Sequence, residues 1–185
     1  MPAEPILMAI ETSCDETAAA VVTSGFDVRS SVVASQASLH ARWGGVVPEV
    51  ASREHLAAVI GTVSAAMSEA EVEPDDLTAV AVTIGPGLPG SLGVGISAAK
   101  ALALGWDRPL VGVNHLEGHL FSAELDGGRV EYPALYLLVS GGHCLLALAR
   151  DRGEYQMLGS TRDDSVGEAY DTQSRLSLSP SSAWV

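Results

Sequence analysis

Basic side chains are few. The 185 residues carry 10 Lys and Arg against 23 Asp and Glu, a formal charge of -13 at pH 7. That balance excludes a broad positive field of the kind that binds nucleic acid or an anionic membrane, so any such partner is met locally or through another subunit. Cysteine is scarce as well. Cys14 and Cys144 lie far apart, and the first ten residues lack the positively charged start of a secretory signal, which predicts two reduced thiols in a cytoplasmic protein rather than a disulfide. No uninterrupted apolar run approaches the roughly 20 residues of a membrane-spanning helix, so no membrane association is expected. With 47% hydrophobic and 18% charged residues, the composition also excludes a disordered chain. What is left is a globular protein, and its length corresponds to about one domain, since domains commonly run about 100–200 residues.

The opening segment alternates strand and turn. Residues 6–11 form a short apolar run, Thr12-Ser13-Cys14-Asp15-Glu16-Thr17 a polar turn, residues 18–22 a second strand and residues 28–35 a third. A loop with Trp43, Gly44, Gly45 and Pro48 follows. Over residues 49–70, Val50, Leu56, Val59, Ile60, Val63 and Met67 recur at spacings of three and four, predicting an amphipathic helix with those side chains on its buried face. Pro74 marks a turn, residues 80–84 a β-branched buried strand, residues 91–105 a helix of small residues, residues 109–113 another strand, and Asn114 the start of a further helix. Three strands followed by alternating helices and strands imply an α/β fold with a mixed sheet flanked by helices.

The pattern then restarts. Residues 132–139 and 143–149 read as strands around the tight turn Ser140-Gly141-Gly142, with a third strand at residues 155–158 and a helical start after Asp163. This repeats the opening meander in shape, so the division predicted is a first lobe over residues 1–130, the first half of a second over 131–171, and a divergent tail over 172–185. Three strands with a stub of helix leave one sheet face poorly covered.

Three stretches carry chemistry. Gly85-Pro86-Gly87-Leu88-Pro89-Gly90 satisfies the dinucleotide pattern G-x-G-x-x-G between a strand and a helix. The acidic residue about 20 positions on, Asp107, falls in a turn rather than at the end of the next strand, which ends at Asn114, so glycines that permit close backbone packing are the better account. In Asn114-His115-Leu116-Glu117-Gly118-His119, a helical turn of about 100° per residue places His115 and His119 on one face, where they can share a metal, and turns Glu117 to the far side. A zincin-type peptidase keeps its Glu directly after the first His, so this arrangement disfavours it; Glu117 instead occupies the N3 position of a capping box headed by Asn114. Finally, the polar turn at residues 12–17 and the glycine turn at residues 140–142 would form a pair of loops able to grip a phosphate-bearing ligand if the two related lobes faced one another across a cleft.

Such a duplication resembles the actin-like ATPase fold, a pair of ribonuclease-H-like lobes. Ile10-Glu11-Thr12-Ser13-Cys14-Asp15-Glu16-Thr17, Gly44-Gly45-Val46-Val47-Pro48-Glu49, Gly85-Pro86-Gly87-Leu88, residues 100–119, Leu138-Val139-Ser140-Gly141-Gly142-His143 and Gly167-Glu168-Ala169-Tyr170-Asp171 resemble, in order and spacing, the catalytic subunit of the tRNA threonylcarbamoyladenosine synthase, the family once called glycoprotease or O-sialoglycoprotein endopeptidase. The resemblance covers residues 6–171. It implies a transferase that moves a threonylcarbamoyl group from threonylcarbamoyl-adenylate to the adenosine beside the anticodon of tRNAs reading codons that begin with A. It further implies one divalent metal ion, iron or zinc, on His115 and His119; substrate contacts from Leu138, Val139, Ser140, Gly141, Gly142 and Asp171; and Asp15 and Glu16 as the catalytic carboxylates. A paralogous partner subunit and an ATPase subunit of the same pathway are the implied partners beside tRNA. A non-catalytic paralogue would share the first lobe but lacks the histidine pair, which is present here.

After Asp171 the resemblance ends. The family continues with the rest of the second lobe, including an Asp that is the third metal ligand, whereas residues 172–185 contain five serines and Trp184 and read as translation in another frame. The expectation is an isolated chain with little or no transferase activity and a tendency to associate through exposed sheet edges.

Overall fold

The computed structural model describes residues 4–127, 130–162 and 165. The chain divides into two compact units, Met1–Gly128 and Arg129–Val185, each with a sheet of its own.

In the first unit, β1 (Ile6–Glu11), β2 (Glu16–Thr23) and β3 (Val28–Ser35) form the expected antiparallel meander, followed by the short helix α1 (Ala37–His40) and the long helix α2 (Pro48–Glu69). Then come β4 (Ala79–Gly85), α3 (Pro89–Gly105), β5 (Leu110–Asn114) and α4 (His115–Phe121). Strand order is β3-β2-β1-β4-β5, with β1, β4 and β5 mutually parallel. A meander joined to parallel strands through helical crossovers is the mixed sheet of a ribonuclease-H-like lobe in the actin-like ATPase fold.

Register assigns the two faces of this sheet different work. Met8 pairs with Val21 and Val80, and Ile10 with Ala19 and Val82, so this row lies on one face. It is buried against Val59, Val63 and Ala66 of α2 and Ala99 and Ala103 of α3. Burying a Val, Ile or Met side chain contributes about 1.5–3 kcal/mol, so this layer is the main source of stability for the unit. The opposite row runs from Leu7 beside Val22 and Ala79, through Ala9 beside Ala20 and Ala81, to Glu11 opposite Ala18.

Some expectations need correction. The inward face of α2 consists of Ala51, His55, Val59, Thr62, Val63 and Ala66, while Leu56 and Ile60 are 70% and 56% exposed. The helix packs on β2, β3 and α3, and close contact with those elements selects small side chains and one histidine over the larger aliphatics. Glu16 and Thr17, placed in the turn by composition, are already strand residues, because Glu16 pairs with Ser35 of β3 and Thr17 with Ala34. Helix α3 begins at Pro89, two residues before the expected start, since a proline fits the first helical position without losing a hydrogen bond.

The second unit is a three-stranded antiparallel sheet, β6 (Ala134–Val139), β7 (Cys144–Asp151) and β8 (Glu154–Ser160). Its first hairpin is closed by the Val139 and Cys144 pair with residues 140–143 as the connection. Tyr136 and Tyr155 meet edge to face at 6.2 Å. The expected helical start after Asp163, Asp171 and the tail at residues 172–185 lie outside the described residues. Among the described residues no helix is long and apolar enough to cross a membrane.

Candidate functional site

The parallel strands β1, β4 and β5 run in one direction, and their carboxyl ends are where open α/β sheets assemble ligand sites. Glu11 ends β1. Thr83 lies beside it on β4, and Asn114 ends β5 and caps α4, accepting the Leu116 N–H at 2.9 Å and the Glu117 N–H at 3.4 Å through its side-chain oxygen. This is the Asn114 half of the expected capping box. It starts the helix at His115, so that strand and cap together aim the first histidine across the sheet end toward Glu11.

Contacts around Glu11 are dense. The Thr83 hydroxyl donates to Glu11 Oε2 at 2.6 Å, and the Ser13 N–H donates to Oε1. His115 Nδ1 lies 3.2 Å from Glu11 Oε2 and 3.1 Å from Ser13 Oγ. Burial alone would raise the Glu11 carboxyl, but the hydrogen bonds from His115, Thr83 and Ser13 outweigh it and bring the pKa down to about 2. An ionised carboxylate only accepts, so the contact with Glu11 is a hydrogen bond when His115 carries a proton on Nδ1, and in the neutral ring that tautomer leaves Nε2 as the acceptor nitrogen. Nε2 of His119 lies 3.1 Å from that atom, with the rings edge to face and their centres 4.5 Å apart. Two ligand nitrogens each about 2.0–2.1 Å from one ion stand about 3.0–3.4 Å apart, so the pair fits a shared divalent metal. Among the described residues no group of three or more His, Cys, Asp or Glu side chains could hold a metal.

The turn below the pair is pinned on every side. Thr12 donates its hydroxyl to the Ser91 carbonyl at 2.9 Å, the Leu88 N–H donates to the Ser13 carbonyl at 2.8 Å, and the Gln36 N–H to the Asp15 carbonyl at 3.1 Å. His55, fully buried on α2, bridges the rest. Its Nε2 faces the Cys14 carbonyl at 3.0 Å and donates to it, leaving Nδ1 to accept the Thr17 hydroxyl at 2.8 Å. The glycine loop after β4 packs against this turn. A Cβ on Gly87 would stand 2.6 Å from the Ser13 carbonyl oxygen, and one on Gly95 would collide with the Thr12 hydroxyl. Gly87 serves close packing, as its sequence context indicated, and Gly95 on α3 does the same.

Ser13 is not arranged as a nucleophile. It is 3% exposed, and it shares one imidazole nitrogen with Glu11, whereas a nucleophile and base relay needs both ring nitrogens. Glu117 is exposed in the first turn of α4, where its N–H gives to the Asn114 side chain.

The sequence-derived residues fall in three groups. His115 and His119 are brought together. Asp15 and Glu16 stand on the first turn and at the start of β2, and neither is hydrogen bonded to the histidines; Asp15 instead neighbours Cys14. The Cys14 thiol is raised to about 11, first by burial of the sulfur and then by the Asp15 carboxylate. Leu138, Val139, Ser140, Gly141 and Gly142 belong to the second unit. There the Ser140 N–H donates to the His143 carbonyl at 2.8 Å and the Ser140 hydroxyl accepts the His143 N–H at 3.0 Å, which shapes the turn and leaves Gly141 and Gly142 exposed. Asp171 lies outside the described residues. Sequence reasoning missed Glu11 and Thr83 as site residues; the available signal was a lone acidic residue ending an apolar strand.

Comparison with known proteins identifies the family. The tRNA N6-adenosine threonylcarbamoyltransferase of Anaeromyxobacter sp. (strain Fw109-5) is 55% identical over 170 residues, 92% of this chain and 51% of the relative. The protein of the same description from Shouchella clausii (strain KSM-K16) is 53% identical over 174 residues, 94% of this chain and 52% of the relative. The chain thus spans about half the length of the curated relatives it matches. Among solved structures, YeaZ from Pseudomonas aeruginosa shares the fold at a TM-score of 0.56 and 19% identity, covering 84% of this chain and 67% of that one. Since the family model described as TsaD, tRNA N6-adenosine threonylcarbamoyltransferase, runs over residues 27–183 and takes in the histidine helix, the chain belongs to the tRNA N6-adenosine threonylcarbamoyltransferase family.

Proposed function

We propose that this chain supplies the histidine-bearing unit and the opening strands of the second unit of a transferase that modifies tRNA. In the reaction, the exocyclic amine of the adenosine beside the anticodon attacks the carbonyl carbon of threonylcarbamoyl-adenylate. The new C–N bond replaces the C–O bond to the adenylate, AMP leaves, and the amine gives up a proton. Asp15, half-buried on the first turn, and Glu16, exposed at the start of β2, are the carboxylates suited to accept that proton. The exposed glycine turn at Gly141 and Gly142 suits the adenylate phosphate, with Leu138, Val139, Ser140 and Asp171 completing the substrate contacts. His115 and His119 would hold a divalent ion, iron or zinc, which when bound supplies Lewis-acid stabilisation of charge on carbonyl or phosphate oxygens. A charge of -13 leaves the basic tRNA-binding surface to partners, a paralogous subunit and an ATPase subunit.

The observation that carries this reading is the convergence of the two histidine nitrogens, 3.1 Å apart, at the strand ends of a chain 55% identical to a protein described as this transferase. A graft tests it. Residues 4–127 would replace the matching part of the Anaeromyxobacter relative, and the chimera would be incubated with unmodified tRNA, threonine, bicarbonate, ATP and the other pathway proteins. Nucleoside analysis by mass spectrometry is expected to find threonylcarbamoyladenosine with the chimera and none with its His115→Ala or His119→Ala forms. Full product from a folded chimera lacking both histidines would overturn the assignment.

A further inference from the structure

Glu11 is the group in the first unit that most needs an explanation. It is a carboxylate at the end of an apolar strand, with one local partner, the Ser13 backbone two residues on, and two distant ones, Thr83 on a neighbouring strand and His115 more than a hundred residues away. Its two oxygens divide the task. Oε1 takes the Ser13 N–H, which fixes the carboxylate plane, and Oε2 takes the Thr83 hydroxyl at 2.6 Å and faces His115 Nδ1 at 3.2 Å. Free imidazole in water prefers the proton on Nε2, the nitrogen that here points to His119. A carboxylate at Nδ1 reverses that preference, and an outer-shell partner of this kind commonly changes metal affinity about 10–100-fold.

We propose that Glu11 is the positioning residue of the histidine pair: held by Thr83 and Ser13, it keeps the His115 proton on Nδ1 so that Nε2 converges with Nε2 of His119. The part of this concerning metal rests on the assignment of His115 and His119 as ligands; the part concerning the tautomer does not. Side-chain nitrogen NMR of the full metal-free chain, labelled at histidine and recorded above the ordinary imidazole titration range, reads the tautomer directly. Wild-type His115 is expected to show a protonated Nδ1, and Glu11→Ala is expected to move the proton to Nε2. An Nε2–H tautomer in the wild type would overturn the proposal without recourse to any variant. Zinc titration by calorimetry is the second readout, with affinity expected to fall about 10–100-fold in Glu11→Ala and less in Thr83→Val, which keeps the carboxylate but removes one of its two anchors. Equal zinc affinity in the wild type and a folded Glu11→Ala would overturn the metal part. A wild type with the predicted tautomer and no zinc binding would uphold the positioning role and overturn the ligand assignment instead.

Discussion

The two sheets of this chain begin with the same three-stranded meander, yet they differ in what lies against them. In the first unit the row containing Met8, Ile10, Val21, Val80 and Val82 is no more than 2% exposed beneath α2 and α3. In the second, Leu145, Ala147 and Ala149 are buried on one side of β7, while Leu135 and Leu137 on β6 stand 63% and 68% exposed. Among the described residues the second unit has strands and no helix. A meander supplies one apolar surface for each face, and only a covering layer converts that surface into stability.

Three substitutions would break or sharpen this contrast. The largest effect is expected at Met8, whose replacement by Ala should cost about 2–5 kcal/mol in a denaturant titration, because the cavity opens under both helices. A loss below about 1 kcal/mol would mean that the helix layer is not the main support of the first sheet. Next comes His55→Ala, which strands the Cys14 carbonyl and the Thr17 hydroxyl and should cost about 2–3 kcal/mol. The same variant should speed amide exchange of the 12–17 turn well beyond that of β4, and uniform protection would show that the turn does not depend on His55. Smallest of all, Leu137→Ser should stay within about 0.5 kcal/mol of wild type by thermal melting, since its side chain is already in water. A large loss there would reveal that something covers β6 in solution and would erase the difference between the units.

Much of the fold was legible in the sequence because its signals are local. The third strand has the bounds predicted from its apolar stretch, and Asn114 caps α4 because a helix start needs an acceptor for its free N–H groups. The helix at residues 48–69 was legible, and so were Val59 and Val63 of its buried face, but the rest of that face was not. Spacing alone favoured Leu56 and Ile60, whereas the surface chosen carries His55, which a hydropathy pattern counts as polar.

The candidate site divides along the same line. A spacing of four residues on a helix determined by itself that His115 and His119 share a face, since helical geometry fixes that relation over a single turn. The relations of Glu11 to Thr83 and of both to His115 depend on strand order and register, and a parallel pairing of β1 with β4 cannot be read from either strand. Nor does composition reveal that a buried histidine on α2 holds the turn at residues 12–17. The sequence thus determined the elements and the shared face of the histidine pair, through local hydrogen bonding and periodicity. Only the tertiary structure decided which carboxylate and which hydroxyls face the pair, because those outcomes are set by contacts between residues far apart in the chain.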